Sequence, residues 1–127
     1  MSRQQVVTSA APAALGPYSQ AIEIDGFVFC SGQLGIDPAT GKLVDGIEAQ
    51  AERALLNLEA VLASVGMSFD DVAKTTVFIT DMANFPKMNA IYATHVVAPA
   101  PARSTVQISA IALNALVEIE AIARKTR

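Results

Sequence analysis

The sequence predicts an α+β fold in which two helices cover one face of a β-sheet. Two β-prone runs meet at Asp25-Gly26, a dipeptide typical of a tight hairpin turn. An apolar stripe with helical spacing follows between Asp45 and Gly66. The later elements then come in the order strand, helix, strand, strand. This order favours a mixed sheet with both helices packed on the same side.

The first third of the chain is predicted to consist of strands and turns. Val6–Thr8 is expected to form a short first strand, and the Ala- and Pro-rich residues 10–16 a loop. Ala21–Ile24 and Phe27–Ser31 are the two arms of the predicted hairpin. Residues 32–41 contain two further turns, because they combine Gly, Asp, Pro and Thr in the positions that turns prefer.

The clearest predicted helix begins near Asp45. Asp45 and Glu48 have the spacing of a capping box, in which side chains bond to free backbone N–H groups of the first turn. Gly66 is well placed to end the helix. The apolar stripe consists of Ala51, Leu55, Leu58, Leu62 and Val65. Packing of this stripe on a sheet explains it without any binding role.

The second half of the chain is predicted to contain one more helix between strands. Lys74–Ile79 has the composition of a strand. Asp81 is expected to cap a helix that runs to about Thr94, with Pro86 near the first turn, where proline is tolerated. A Pro-rich loop follows over residues 96–102. The last two predicted strands are Arg103–Ile108 and Leu116–Ala123.

Composition indicates one domain with more apolar surface than it can bury alone. The 127 residues are 52% hydrophobic and 17% charged, whereas typical globular domains are about 25% charged. We find neither a repeat nor a linker, so residues 1–127 are expected to form one domain. The apolar excess and the uncovered second face of the predicted sheet favour a homo-oligomer.

Charge and residue types argue against several classes of function. The net charge of −3 disfavours a nucleic-acid partner, because such binding needs clustered Lys and Arg. Cys30 is the only cysteine and His95 the only histidine, which is too few for a typical zinc site. We interpret His95 as a solvent-facing residue at a helix end. No glycine loop with the spacing that binds phosphate is present, so no metal or nucleotide site is expected.

The hydrophobic segments of the chain are short. The longest apolar stretch, residues 54–65, is interrupted by polar side chains and is too short to span a bilayer. Residues 1–5 lead into a predicted strand and do not resemble a signal peptide. We therefore expect a cytoplasmic protein without a membrane partner.

Polar side chains interrupt the last two predicted strands. Residues two apart share a face of a strand, so Glu118 and Glu120 point the same way, as do Arg103, Thr105 and Gln107. The pattern alone favours two half-exposed strand faces, which could pair arginine with glutamate across the sheet.

A catalytic interpretation of the same residues is also open. A guanidinium can bind a carboxylate through two parallel hydrogen bonds, and a half-buried glutamate can accept a proton from water. Such a pair is suited to hydrolysis of a C=N bond beside a carboxylate.

Motifs along nearly the whole chain resemble those of the RidA (YjgF) family of enamine/imine deaminases. Asn89 with Tyr92 is one of them. The other motifs are Gly16-Pro17-Tyr18-Ser19-Gln20-Ala21, Ser31-Gly32-Gln33 followed by Gly35, Asp37-Pro38 and Gly41, Lys74-Thr75-Thr76-Val77, Pro101-Ala102-Arg103-Ser104 and Val117-Glu118-Ile119-Glu120-Ala121-Ile122-Ala123. The resemblance implies a chorismate-mutase-like α+β fold, assembled as a homotrimer with clefts between subunits. It also implies hydrolysis of 2-iminobutanoate and 2-iminopropanoate to 2-oxo acids and ammonia, without a cofactor.

The same resemblance implies roles for individual residues. Arg103 would bind the substrate carboxylate, and Glu118 would activate the hydrolytic water. The substrate-binding residues would be Tyr18, Ser31, Gly32, Asn89, Arg103 and Thr105. Simpler explanations stay open for three of them: Tyr18 as an interface aromatic, Ser31 as a strand-end hydroxyl and Asn89 as a helix-face amide.

The chain departs from many family members in two places. Thr105 stands where many members have cysteine, which removes a thiol from the cleft. The segment between Tyr92 and Arg103 is shortened, and Val96-Val97 replaces an aromatic pair, which concerns substrate size. Two other functions stay open: a regulatory protein that binds small carboxylates without turnover, and an endoribonuclease, which the acidic charge and the lack of a histidine pair disfavour.

Overall fold

A computed structural model describes residues 2–125 of the chain. It contains a mixed six-stranded sheet in the order β1-β2-β3-β8-β6-β7, with only β6 and β7 parallel, and a separate hairpin of β4 and β5. The helices are α1 (Ile47–Ala63) and α2 (Phe85–Ala93). The strands are β1 (Gln4–Val6), β2 (Ala21–Ile24), β3 (Phe27–Leu34), β4 (Ile36–Asp37), β5 (Lys42–Leu43), β6 (Val72–Ile79), β7 (Ala102–Gln107) and β8 (Val117–Arg124). The predicted α+β class, a mixed sheet with two helices, is confirmed.

The core lies between α1 and one face of the sheet. Four members of the predicted stripe, Ala51, Leu55, Leu58 and Leu62, are fully buried. The sheet supplies alternate residues of its two central strands, as the two-residue period of a strand requires. These are Thr75, Val77 and Ile79 of β6 and Val117, Ile119, Ala121 and Ala123 of β8. We call this the covered face, and the opposite side, which carries Phe29, Phe78, Glu118 and Glu120, the open face.

The hairpin turn lies at Asp25-Gly26, as predicted. Asp25 and Gly26 have φ values of 54° and 79°, and two positive φ angles are what a type I′ turn requires. The turn joins β2 to β3 with Ile24 opposite Phe27.

The start of α1 differs from the prediction. Gly46 is the N-cap residue, with φ 91°, and no side chain caps the helix, so the predicted Asp45–Glu48 capping box is wrong. The turn at Gly46 places Asp45 one residue outside the cap position. A reciprocal capping box occurs instead at Ser68 and Asp71, around the short 3₁₀ turn Phe69–Asp71.

The first strand is also displaced, to Gln4–Val6. Val6 pairs with Ala21, and the chain then leaves the sheet. The Gln20 side chain forms hydrogen bonds with both the N–H and the carbonyl group of Thr8. The Thr8 N–H donates to Gln20 Oε1 at 2.8 Å, in place of a strand partner.

Asp81 caps the second helical region as predicted, although a 3₁₀ turn (Met82–Asn84) precedes α2. Its side chain accepts from the N–H of Ala83 at 2.9 Å. Pro86 lies in the first turn of α2, and Thr94 is the C-cap. Neither α1 nor α2 has the length and apolar character needed to cross a membrane.

His95 is not solvent-facing, which corrects the sequence-based interpretation. Its side chain is only 8% exposed and lies between two carboxylates of α1. Nε2 is 2.8 Å from Glu52 Oε1, and Nδ1 is 3.2 Å from Glu59 Oε2. Burial alone would lower the pKa of His95, but the hydrogen bonds and charges of Glu52 and Glu59 outweigh it and raise the pKa. His95 thus links α1 to the segment that follows α2.

Candidate active site

Arg103 lies on β7, the edge strand that runs parallel to β6. It pairs with Thr75, a buried residue of the covered face, so the Arg103 side chain extends on the α2 side of the sheet. Its guanidinium carbon is 4.7 Å from the ring centroid of Tyr92 and 5.6 Å from that of Phe85. No hydrogen bond or ion pair within residues 2–125 involves the guanidinium. A half-buried cation on aromatic rings, without an anion of its own, is suited to bind one.

Tyr92 is fixed beneath Arg103 by a buried hydrogen bond. The Tyr92 hydroxyl lies 2.7 Å from Thr75 Oγ1, and one of the two hydroxyls donates to the other. Phe85 and Tyr92 are two helical turns apart on α2 and therefore lie on one face of the helix. Asn89, between them at helical spacing, shares that face and is exposed. Asn89 is thus on the same side of α2 as the Arg103 guanidinium.

Thr105 follows Arg103 on the same face of β7. It pairs with Val77, and its Oγ1 is buried without a hydrogen-bond partner in residues 2–125. A buried hydroxyl that lacks a partner is uncommon in folded proteins. The predicted binding residues Asn89, Arg103 and Thr105 therefore form one group at the edge of the sheet.

Glu118 lies on the open face, in the middle of β8. It pairs with Leu34 of β3 and Phe78 of β6, and it borders a cavity of about 880 Å³. Burial raises the pKa of Glu118, and the negative charge of Glu120 raises it further. The polar lining of the cavity consists of Tyr18, Gln20, Ser31, Gln33, Glu118 and Glu120, and the apolar lining includes Leu15, Leu34, Ile36 and Leu113.

Gly32 leaves space for the Glu118 side chain. The pairing of β3 with β8 shifts register between Cys30 and Gln33, which places Gly32 directly beneath the carboxyl. A Cβ atom at Gly32 would lie 2.7 Å from Glu118 Cδ, closer than such atoms approach in proteins. Only glycine at position 32 allows Glu118 its observed position.

The side chains of Ser31 and Gln20 donate hydrogen bonds to backbone carbonyl groups. Ser31 Oγ donates to the Ser19 carbonyl oxygen at 2.6 Å, so the hydroxyl can only accept from a ligand in the cavity. Gln20 Nε2 donates to the carbonyl oxygens of Thr8 (3.0 Å) and Pro12 (2.7 Å). These bonds hold the loop that forms one wall of the cavity, next to the half-exposed Tyr18 ring.

The predicted site residues thus fall into two groups that do not meet within the chain. Tyr18, Ser31, Gly32 and Glu118 line the cavity of the open face. Arg103 and its neighbours lie on the covered side, two strands away. The strand pattern favoured two half-exposed faces that could pair arginine with glutamate across the sheet, and residues 2–125 contain no such ion pair.

Comparison with known proteins identifies the family. The sequence profile of the Endoribonuclease L-PSP family matches residues 8–125. The chain belongs to this family, which is also called the RidA (YjgF) family.

Among its RidA family relatives is a protein named Reactive Intermediate Deaminase A, chloroplastic, from Arabidopsis thaliana. It is 48% identical over 124 residues, which is 97% of this chain and 66% of the relative, so this chain spans slightly under two thirds of that protein. A mouse protein named 2-iminobutanoate/2-iminopropanoate deaminase is 45% identical over 95% of this chain and 90% of its own length. The crystal structure of RidA from an Antarctic Psychrobacter has a TM-score of 0.94 and 41% identity, covering 96% of this chain and 99% of that one.

Sequence reasoning did not assign three residues to the site of this RidA family member. Tyr92 was noted only as part of a motif, whereas its ring supports Arg103. Phe85 had a usable signal, since it precedes Tyr92 by seven residues on a predicted helix. Gln20 had no such signal, because its three carbonyl partners are brought together only by the folded loop.

Proposed function

We propose that this protein hydrolyses 2-imino acids to 2-oxo acids and ammonia, at sites that adjacent subunits of a homotrimer build together. The observation that carries the proposal is the Arg103 guanidinium, half-buried on two aromatic rings and without an anion of its own in residues 2–125. A substrate carboxylate would supply that anion through two parallel hydrogen bonds. The deaminase names of relatives at 45–48% identity support the same reaction.

The residues of the cavity can activate water and bind the imine nitrogen, the steps that Arg103 does not supply. Water adds to the carbon of the C=N bond, and the resulting carbinolamine collapses to a carbonyl group and ammonia. Glu118 takes the proton of the attacking water, and a pKa that burial and the charge of Glu120 raise makes it a stronger base than an ordinary carboxylate. Ser31 Oγ accepts from the N–H of the imine. Asn89 and Thr105, beside Arg103, help to bind the carboxylate end, and Tyr18 covers the substrate.

The positions of Arg103 and Glu118 are the reason for proposing a site between subunits. Strands are about 4.8 Å apart and β6 lies between β7 and β8, so the backbones of these residues are roughly 10 Å apart even before their opposite directions are considered. A second copy that packs its β7 edge against the open face would bring its own Arg103 to the cavity. Apolar side chains such as Phe29, which is 44% exposed on that face, favour such packing. The trimer itself rests on the family resemblance.

The test is hydrolysis of 2-iminobutanoate, formed in the assay from threonine by a pyridoxal-phosphate dehydratase. Release of 2-oxobutanoate above the uncatalysed rate is measured for the wild type, for Arg103→Ala and for Arg103→Lys. Loss of two charge-assisted hydrogen bonds should lower kcat/KM of Arg103→Ala by roughly 100-fold. Arg103→Lys should recover only part of it, because an ammonium cannot bind both oxygens in parallel.

The control is Arg3→Ala, which removes the same charge from an exposed position before β1. It should hydrolyse the imine at the wild-type rate. Unchanged hydrolysis by Arg103→Ala would overturn the proposal.

Binding without turnover is the alternative that the unpaired guanidinium also favours. A small carboxylate such as 2-oxobutanoate would then raise the melting temperature of the wild type but not of Arg103→Ala, with no imine hydrolysis by either protein. Glu118→Gln separates the two functions, since an enzyme should keep this stabilisation and lose turnover.

A further inference from the structure

The open face holds a second carboxylate that takes no part in the proposed steps of imine hydrolysis. Glu120 borders the same cavity as Glu118 and lies two residues along β8, on the same face. Resting on the proposed function, we propose that Glu120 is a positioning residue: its charge favours the protonated Glu118 carboxyl, which can then act as an acid in the reaction.

The surroundings of Glu118 leave Glu120 as its main electrostatic neighbour. Gly32 and Leu34 of β3 and Phe78 of β6 are uncharged. No lysine or arginine lines the cavity within the described chain, and Tyr18 is its other titratable group. The Glu118 carboxyl is also confined, because it packs directly over Gly32.

Two basic residues lie farther along the same face. Arg124 of β8, four residues beyond Glu120, stacks on the Phe27 ring at 4.7 Å and forms no ion pair with either glutamate in residues 2–125. Lys74 of β6 pairs with Ile122, two residues beyond Glu120, so Lys74 and Glu120 are diagonal neighbours. Lys74 is farther from Glu118, whose partner on β6 is Phe78, four residues away. It forms no ion pair with either glutamate in residues 2–125.

In the proposed assembly a neighbouring subunit's Arg103 also reaches the cavity, but the substrate carboxylate pairs with it. The charge of Glu120 is therefore not neutralised by a contact within this chain or by that arginine. Burial and this charge act on Glu118 in the same direction, and both raise its pKa.

A protonated Glu118 allows a balanced proton cycle. The Glu118 carboxyl first gives its proton to the imine nitrogen, which makes the carbon more electrophilic. The resulting carboxylate removes a proton from water as the water oxygen bonds to that carbon. The regained proton then passes to the amino group of the carbinolamine. The C–N bond breaks, ammonia leaves, and the hydroxyl proton returns to Glu118. The net reaction adds one water and releases one ammonia, and Glu118 ends protonated.

The pH dependence of kcat for 2-iminobutanoate, corrected for uncatalysed hydrolysis, tests this inference. Activity should fall at high pH as Glu118 loses its proton. In Glu120→Gln, which keeps the shape but removes the charge, that fall should move about one unit toward acid pH. Glu120→Asp, which keeps the charge, should stay close to the wild type. Glu48→Gln, on the exposed first turn of α1, removes an equal charge far from the cavity and should not move the profile.

A second measurement does not depend on activity. Titration of the Glu118 carboxyl by carbon NMR should show the same acid shift in Glu120→Gln. If the titration does not shift, or if it shifts while the rate profile does not, the role of Glu120 is overturned. A wild-type protein that hydrolyses no 2-imino acid would instead overturn the proposed function, and the titration would still report on the Glu118–Glu120 pair.

Discussion

Arg103 and Glu118 lie on opposite faces of the same sheet. Arg103 pairs with the buried Thr75 of the covered face, and Glu118 pairs with Phe78 of the open face. Within a single chain the sheet lies between the guanidinium and the carboxyl. The proposed activity therefore depends on assembly, and this dependence can be tested directly.

Mixing two inactive variants should restore activity. Arg103→Ala and Glu118→Gln each disable one half of the proposed site. In subunits co-assembled at equal amounts, about one quarter of the sites should combine an intact Arg103 from one subunit with an intact Glu118 from its neighbour. Imine hydrolysis by the co-expressed mixture should therefore approach a quarter of the wild-type rate. A mixture as inactive as its components would show that each site belongs to one chain.

Gly32→Ala should impair turnover by moving Glu118. The added Cβ would lie 2.7 Å from Glu118 Cδ, so the carboxyl must leave its place over the backbone of β3. We expect kcat to fall by at least 10-fold, with the Arg103-dependent binding of 2-oxobutanoate preserved. Gly46→Ala is the matched control. Nothing lies within 4 Å of a Cβ there, but φ is 91°, so stability should fall by about 1 kcal/mol without a change in kcat.

Tyr92 should influence KM through its ring and stability through its hydroxyl. Tyr92→Leu removes the aromatic face under Arg103, and we expect KM for the imino acid to rise by about 5-fold. Tyr92→Phe keeps the ring but leaves the buried Thr75 hydroxyl without its partner, so it should lose about 1 kcal/mol of stability with KM nearly unchanged. Equal KM values for the two variants would contradict the role of the ring.

His95 should stabilise the fold more at low pH than at high pH. Both ring nitrogens face carboxylates, and only the charged imidazolium can donate a hydrogen bond to each of them. Because the folded pKa is raised above the ordinary value of 6.5, the stabilisation is complete below about 6.5 and is lost as pH rises through the folded pKa.

Chemical denaturation of the wild type and of His95→Gln between pH 6 and 9 measures this effect. The difference in unfolding free energy should be about 1–2 kcal/mol at pH 6 and should shrink toward pH 9. This free-energy difference is at the low end of the range for hydrogen bonds to charged groups. Glu52 and Glu59 are 45% and 38% exposed, so solvent weakens their interaction with His95. A difference that is constant with pH would rule out a charged His95. Glu48→Gln, which changes an exposed carboxyl, should show no such trend.

Local features of the fold could be predicted because neighbouring residues determine them. The α1 stripe and the Asp25-Gly26 turn depend on helical spacing and on backbone angles that the residues themselves prefer. The absence of a capping box at Asp45 could not be predicted from local sequence. The helix has its N-cap at Gly46, one residue later than expected, so the Asp45 side chain does not cap it. The environment of His95 could not be predicted either, because Glu52 and Glu59 are 43 and 36 residues away in the sequence.

The sequence by itself determined which residue types are available to the site: a guanidinium at Arg103, a carboxyl at Glu118 and a glycine at position 32. Strand periodicity also determined that residues two apart on one strand, such as Glu118 and Glu120, lie on the same face. Only the tertiary structure decided that Arg103 and Glu118 face opposite ways, because that depends on how β7 and β8 each pair with β6. Side-chain direction follows the pairing register between strands, and residues distant in the chain set that register.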